Sequence, residues 1–170
     1  TSIVSAGRPH SATLSWEEPM AAPLDQSEFW NSSAASKEFT HPIDHSRFSR
    51  FVSADVRILD YGCGQGRICS ELSRLGFRDV HGVDYSEAMV RTAKSRYSAL
   101  SFSVVDRLTL PYPEASFGAV LLIAVLTCIP SDDAQRKVLA ELSRVLRPGG
   151  LLFVSDYPLQ MDERNQKRYE

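Results

Sequence analysis

The chain lacks any surplus of positive charge: 19 lysines and arginines face 21 acidic residues among 170, for a formal net charge of −2. That leaves no basic field to steer it onto nucleic acid, and the arginines are scattered, with no basic patch interleaved with aromatics. Cysteine is scarce, the three being Cys63, Cys69 and Cys128. No C-x-x-C spacing offers a zinc site and three thiols cannot all pair with one another, so reduced thiols in a cytoplasmic protein are the simplest reading. Long apolar runs are missing too. The longest, around residues 119–129, is too short to span a bilayer and fits a central strand. The N-terminus has no positively charged start leading into an apolar stretch, so no signal peptide is expected, and no internal repeat or coiled-coil heptad is found. What is present, 43% hydrophobic and 24% charged residues, is the composition of an ordinary globular domain with a sizeable core.

Residues 58–67, ILDYGCGQGR, carry the most information. Val56, Ile58 and Leu59 suit a strand buried on both faces of a parallel sheet, and Asp60 falls at its carboxyl end. Gly62, Gly64 and Gly66 then let main-chain N–H groups approach a ligand without interference from a Cβ. From Arg67 an amphipathic helix is expected, with Ile68, Leu72 and Leu75 on its stripe and Gly76 ending it. A dinucleotide fingerprint reads G-x-G-x-x-G. Here the pattern is D-x-G-x-G-x-G, in a different register.

The later landmarks arrive in a regular order. Residues 80–84 read as a second strand ending in Asp84, about 20 residues beyond the glycine turn, the offset at which an acid reaches ribose hydroxyls. Ser86 is placed to cap a helix carrying Ala88, Met89, Ala93 and Tyr97. Phe102, Val104 and Val105 form a third strand, with Asp106 at its end. Residues 117–129 supply a fourth strand and its exit, and residues 131–146 a helix with Ala134, Val138, Leu139, Leu142, Val145 and Leu146 on one stripe. Arg147, Pro148, Gly149 and Gly150 are expected to break that helix before a fifth strand over 151–155. This alternation predicts an α/β fold: a Rossmann-like, doubly wound, mostly parallel sheet in three layers.

Four segments, LDYGCGQGR, GVDYSEAMV, DRLTLPYPEASFGAVLL and LSRVLRPGGLLFVSDY, occur in this order, and on them the chain resembles class I S-adenosylmethionine-dependent methyltransferases of the small-molecule type, related to the ubiquinone/menaquinone methyltransferases. The resemblance covers roughly residues 56–157. It implies S-adenosylmethionine as cofactor and S-adenosylhomocysteine as product. It further implies that Asp60, Gly62 and Gly64 line the methionine half, and that Gly66 permits close packing at the helix start. Asp84 would accept from both ribose hydroxyls, Tyr85 and Met89 would flank the adenine, and Asp106 would accept from its exocyclic amine beside Arg107 and Leu108. Ala124 would sit near the sulfonium and the acceptor. Taken singly, Asp60 could equally cap the turn, Asp84 could cap its own helix and Asp106 could be a solvated loop residue, and Tyr85, Met89 and Leu108 could belong to the core. Relatives commonly carry Asp where Gly118 follows Phe117, so local loosening is expected there.

The implied reaction is in-line methyl transfer to an oxygen, nitrogen or carbon nucleophile of a small molecule. A base is required only if the acceptor must lose a proton. His41 and His45, in FTHPIDH, and Tyr157 are the candidates. A helix opened by Pro42 would put both histidines on one face, although surface or capping roles are the commoner use of such residues. Phe29, Trp30 and Phe39 could close the pocket against water or belong to the core. No metal site is expected, since no third ligand accompanies the histidines. The domain plan is a flexible leader over 1–27 with Trp16 as its anchor, a cap over 28–52, and a cofactor-binding core over 53–170. The resemblance implies two more strands after the fifth, so the chain is expected to be incomplete beyond residues 161–170, MDERNQKRYE, or to have its fifth-strand edge covered by another chain, as in a homodimer. The competing readings are a non-catalytic cofactor-binding or interaction module and, against the glycine register, a nicotinamide oxidoreductase. The run IAVLTCIP after the fourth strand lacks the Asn/Asp-Pro-Pro-aromatic motif of enzymes that methylate amino groups of DNA and proteins.

Overall fold

The structure is a computed structural model and describes residues 27–34, 40–106, 108–129 and 131–156. Trp16, Phe39, Arg107, Tyr157 and the 161–170 run lie outside the described residues, as does the expected leader up to residue 26. Helices α1 (Ser27–Ser33) and α2 (His45–Phe51) precede β1 (Arg57–Tyr61), α3 (Arg67–Arg74), β2 (Asp79–Asp84), α4 (Glu87–Arg96), β3 (Ser101–Val104), β4 (Phe117–Ile123), α5 (Asp132–Val145) and β5 (Leu146–Ser155). The strands form one parallel sheet in the order β3-β2-β1-β4-β5.

Alternation along the strands sorts the core into two layers. Ile58 of β1 with Ala119, Leu121 and Ile123 of β4 face a cluster holding Phe48 of α2, Cys69 and Leu72 of α3, and Val90 and Ala93 of α4. Leu59 and Tyr61 with Val120 and Leu122 face the opposite cluster, built on Val138, Leu142 and Val145 of α5. A sheet covered on both sides explains why all seven residues of β4 are buried. The chain reverses its direction of travel across the sheet between β1 and β4. At that switch point the loops leaving the two strands part to opposite faces and open a crevice.

Several local expectations are corrected. Pro42 does not open a helix: α2 starts at His45, capped by Asp44, whose Oδ1 accepts from Arg47 N at 2.9 Å and from Ser46 Oγ at 2.8 Å. A short polar side chain out-competes proline for the start because it satisfies an orphan amide. Leu75 is 51% exposed and caps α3, whose buried residues are Ile68, Cys69, Ser70 and Leu72. Residues 147–150 do not merely break α5. They lie within β5, where Phe117 pairs with Leu146 and the register then shifts so that Ala119 pairs with Leu151, a bulge that absorbs Pro148 and the two glycines. Nor is the sheet loosened at Gly118, because a Cβ there would meet Val56 Cγ1 at 2.6 Å and the Arg147 guanidinium carbon at 2.9 Å. Among the described residues β5 is an edge of the sheet, with Leu152 and Val154 exposed.

Candidate cofactor and acceptor site

The glycine turn is built as a cradle held from β2. Gly62 N and Cys63 N both donate to Val83 O, at 2.8 and 3.0 Å, and Gly66 N donates to Cys63 O at 2.9 Å. Gly62 has φ +74°, and a Cβ on it would lie 2.6 Å from Val125 Cγ2. Gly66 has φ +80°, and its Cβ would strike the Phe102 ring at 2.6 Å. Gly66 thus packs against Phe102 and Ala93 and lines neither cavity described below, whereas Gly62 and Gly64 line the larger one.

Asp84, at the end of β2, ties this turn to the next helix. Its Oδ2 accepts from Gly64 N and its Oδ1 from Ser86 N, each at 2.9 Å, and Ser86 Oγ caps α4 by accepting from Met89 N at 3.2 Å. Asp60 is also buried, at 2% exposure, but its surroundings differ. Its partner among the described residues is the Cys69 thiol, 3.3 Å from Oδ2. Burial pushes the Asp60 carboxyl up from 3.8 to about 7; the thiol bond opposes this, repulsion from Asp84 adds to it, Arg67 opposes and Glu71 adds. Burial also holds the thiols of Cys63 and Cys69 well above their ordinary range.

Two cavities open on these groups. The larger, about 260 Å³, is lined by Asp60, Gly62, Gly64, Asp84, Tyr85, Met89 and Ala124, and also by Trp30, His41 and Arg67. The smaller, about 80 Å³, is lined mainly by apolar side chains including Val105, Leu108, Ile129 and Val138. Gly62, Asp84, Tyr85, Val125 and Cys128 belong to both walls, so the two cavities adjoin across a boundary that includes Asp84.

Asp106 departs from its expected place. It is exposed and lines neither cavity, and its Oδ1 accepts from Leu108 N at 3.0 Å in a turn that presents Leu108 to the smaller cavity. The histidines do not share a helical face. His41 precedes α2 and lines the larger cavity, with Nε2 2.8 Å from Ser155 Oγ, whereas His45 Nε2 pairs with Glu71 at 2.9 Å on α3. Among the described residues no three His, Cys, Asp or Glu side chains are grouped to hold a metal ion.

The wall opposite the glycine turn comes from the exit of β4. Ala124 has φ 54° and donates its N–H to Ser155 O at 2.8 Å. The following 3₁₀ turn, Leu126–Cys128, is pinned by Asp156, whose carboxylate accepts from Leu126 N at 2.7 Å, Thr127 N at 3.3 Å and Thr127 Oγ1 at 2.9 Å. The cleft is roofed by α1. Trp30 lines it, and Asn31 Oδ1 accepts from Ser86 Oγ at 2.7 Å and Ala88 N at 3.2 Å. Gln65 Nε2 donates to Ala34 O at 2.9 Å and its Oε1 accepts from Arg96. Asn31, Gln65, Arg67, Val125 and Cys128 were not among the sequence candidates. Gln65 and Arg67 lie inside the glycine motif and Val125 and Cys128 just beyond β4, so proximity to the motifs was their available signal. Asn31 has none.

Residues 59–154 match the family described as the methyltransferase domain, and the chain belongs to that family. Over 139 residues it is 32% identical to the 27-O-demethylrifamycin SV methyltransferase of Amycolatopsis mediterranei, covering 77% of this chain and 50% of that protein. Over 111 residues it is 29% identical to the human (Homo sapiens) eEF1A lysine and N-terminal methyltransferase, covering 59% of this chain and 16% of that protein. Its fold matches a SAM-dependent methyltransferase of Methanosarcina mazei at TM-score 0.68 and 26% identity, over 74% of this chain and 64% of that one. The chain thus spans half or less of these curated relatives. Its fold is the α/β Rossmann-like fold of S-adenosylmethionine-dependent methyltransferases, and S-adenosylmethionine is its cofactor. The cleft fits that molecule: two buried acids face a net cation, side-chain-free turns leave room for a close backbone approach, and the smaller apolar cavity suits a flat base.

Proposed function

We propose that this chain is the donor-binding part of an enzyme that methylates an oxygen, nitrogen or carbon nucleophile of a small molecule. One observation carries the reading: Asp84 belongs to the walls of both the larger cavity, which Asp60 and the glycine turn also line, and the smaller one beside it. A ribose joins the base to the methionyl arm of the cofactor, so a carboxylate between the two cavities meets the vicinal diol. Asp84 Oδ2 and Oδ1 each accept a backbone N–H, from Gly64 and Ser86, which fixes the orientation of the carboxylate. Gly62 and Gly64 meet the methionyl backbone groups, Tyr85 and Leu108 border the base, and Met89 and Ala124 border the reacting arm.

S-adenosylmethionine supplies a methyl group already activated on a sulfonium, so the protein has little covalent work to do. Its residues bind, orient and exclude water. Trp30 and α1 close the larger cavity on one side, and the Asp156-pinned turn fixes the wall on the other. His41 borders this cavity and is the residue placed to take a proton from an acidic acceptor, while His45 is engaged with Glu71 on α3.

A small acceptor is supported by the rifamycin-directed relative, and a protein acceptor by the eEF1A-directed one. We favour the former because residues 123–130, IAVLTCIP, lack the Asn/Asp-Pro-Pro-aromatic motif of enzymes that methylate amino groups of proteins. The free thiols fit a cytoplasmic setting, and among the described residues no helix is long and apolar enough to cross a membrane. Calorimetry should show binding of S-adenosylmethionine and S-adenosylhomocysteine and none of NAD. Transfer of label from the cofactor into a metabolite extract, with none into protein, would support the small-molecule assignment. Binding without transfer to either would favour a non-catalytic module.

A further inference from the structure

With the base in the smaller cavity and the ribose at Asp84, the methionyl arm runs into the part of the larger cavity that the smaller one does not share. That part is walled by Asp60, Arg67, His41 and Trp30 among others. Arg67 is the only lysine or arginine lining either cavity among the described residues. It stands beside an acid: burial pushes the Asp60 carboxyl up, and Arg67 is near enough to be among the groups that oppose this.

Arg67 is the first residue of α3, and its guanidinium is held from two sides. Nη1 donates to Glu71 Oε1 at 2.8 Å and Nη2 to His41 O at 2.5 Å. A guanidinium has five N–H donors in one plane, so these two bonds fix the plane without exhausting it. Nε is buried and has no hydrogen-bond partner among the described residues. A buried donor left unpaired costs free energy, which an acceptor brought by a ligand recovers. The start of α3 adds to this, because Gly66 gives its first turn no side-chain cap and the orphan amides there also favour an anion.

We propose that Arg67 reads the α-carboxylate of the methionyl arm, so that the cleft selects adenosyl compounds carrying a complete amino acid over those that have lost the carboxylate. This rests on the reading of the cleft as the S-adenosylmethionine site. Sign fixes which group Arg67 takes: of the three charges on the arm, a guanidinium attracts the carboxylate and repels the amine and the sulfonium. The amine shares a carbon with the carboxylate, and Asp60 is the neighbouring acid that suits it. Donor and product carry the same carboxylate. Arg67 therefore orients both alike, and its selectivity is against decarboxylated analogues.

The test is calorimetry with S-adenosylmethionine, S-adenosylhomocysteine and decarboxylated S-adenosylmethionine, which keeps the sulfonium and the amine, on the unaltered protein, Arg67→Gln and Arg67→Lys. The unaltered protein is expected to bind the decarboxylated compound about 10- to 100-fold more weakly than S-adenosylmethionine, the range of a hydrogen bond between charged groups. Arg67→Gln should shrink that ratio to about threefold or less by weakening the complete compounds, and Arg67→Lys, a point charge without the planar fork, should restore part of it. If Arg67 only holds Glu71 and His41 O, its loss weakens all three compounds by one factor. That result would overturn the proposal, as would equal affinity of the unaltered protein for the two sulfonium compounds. Should Arg67→Gln fail to fold, the Arg67 Nε–H resonance of the unaltered protein decides: a shift with S-adenosylmethionine that the decarboxylated compound does not reproduce is expected, and equal shifts would overturn the assignment. Failure of S-adenosylmethionine and S-adenosylhomocysteine to bind the unaltered protein would instead overturn the cleft reading itself.

Discussion

Gly66→Ala is expected to be among the most damaging single-methyl additions available in this chain. Gly66 sits at φ +80°, where an L side chain costs about 1–2 kcal/mol. The new methyl would also lie 2.6 Å from Phe102 Cζ, 2.8 Å from Cε1 and 3.2 Å from Ala93 Cβ. The ring is buried, with the same side also packed on Gly82, so it has little room to swing aside. Overpacking of this kind costs about 1–3 kcal/mol more, so the total is roughly 2–5 kcal/mol. Urea unfolding of Gly66→Ala, Phe102→Leu and the double variant separates the two parts. Trimming the ring should relieve the packing share and leave the backbone share, giving a coupling of about 1–3 kcal/mol. A loss below about 1 kcal/mol for Gly66→Ala, or no coupling to Phe102, would refute the reasoning.

Other expectations follow from individual side chains. The Asp60 carboxyl is raised from 3.8 to about 7, so the folded state binds its proton more tightly than the unfolded one. That contribution is full below pH 4 and lost as pH rises through 7, by roughly 4 kcal/mol, and urea midpoints of Asp60→Asn should lack this slope. Asp84→Ala should weaken S-adenosylmethionine binding by about 1.5–3 kcal/mol in calorimetry, provided circular dichroism shows the variant folded. Asp156→Ala strips the acceptor from two backbone amides and the Thr127 hydroxyl. It should cost about 1–3 kcal/mol in urea unfolding, with Asp156→Asn recovering part of it.

The parallel sheet, the cap at Ser86 and the glycine turn were legible because local chemistry dictates them. Amphipathic period, a hydroxyl before a helix and glycines at positive φ are properties of neighbouring residues. What escaped depended on distant parts of the chain. The place of Arg147 against Gly118 requires β5 to lie beside β4, and a pairing over that separation leaves no periodic trace. The same holds for Asn31, which reaches α4 from α1, and for Asp156, which holds the turn after β4. Asp106 shows the opposite failure. Its sequence position matched an adenine acceptor, but a short local bond to Leu108 N turned the carboxylate into a cap and put the leucine in the wall. The N-terminal wall of the larger cavity was least readable, since His41 and Trp30 reach it from a segment whose path no motif sets.

The two aspartates show why a cofactor cleft need not be a stable feature of the free fold. Asp84 is tied into the glycine turn and the α4 cap by backbone bonds, so it contributes structure whether or not a ligand is present. Asp60 contributes almost none: with a thiol as its hydrogen-bond partner among the described residues, its ionised form opposes folding at neutral pH. An apolar or amide side chain would serve the core better, and the fold tolerates the acid because burial of one charge is small beside two apolar layers packed on five strands. A cation bound in the cleft reverses the sign of that local term. The free energy withheld from the fold at Asp60 is then available to ligand affinity.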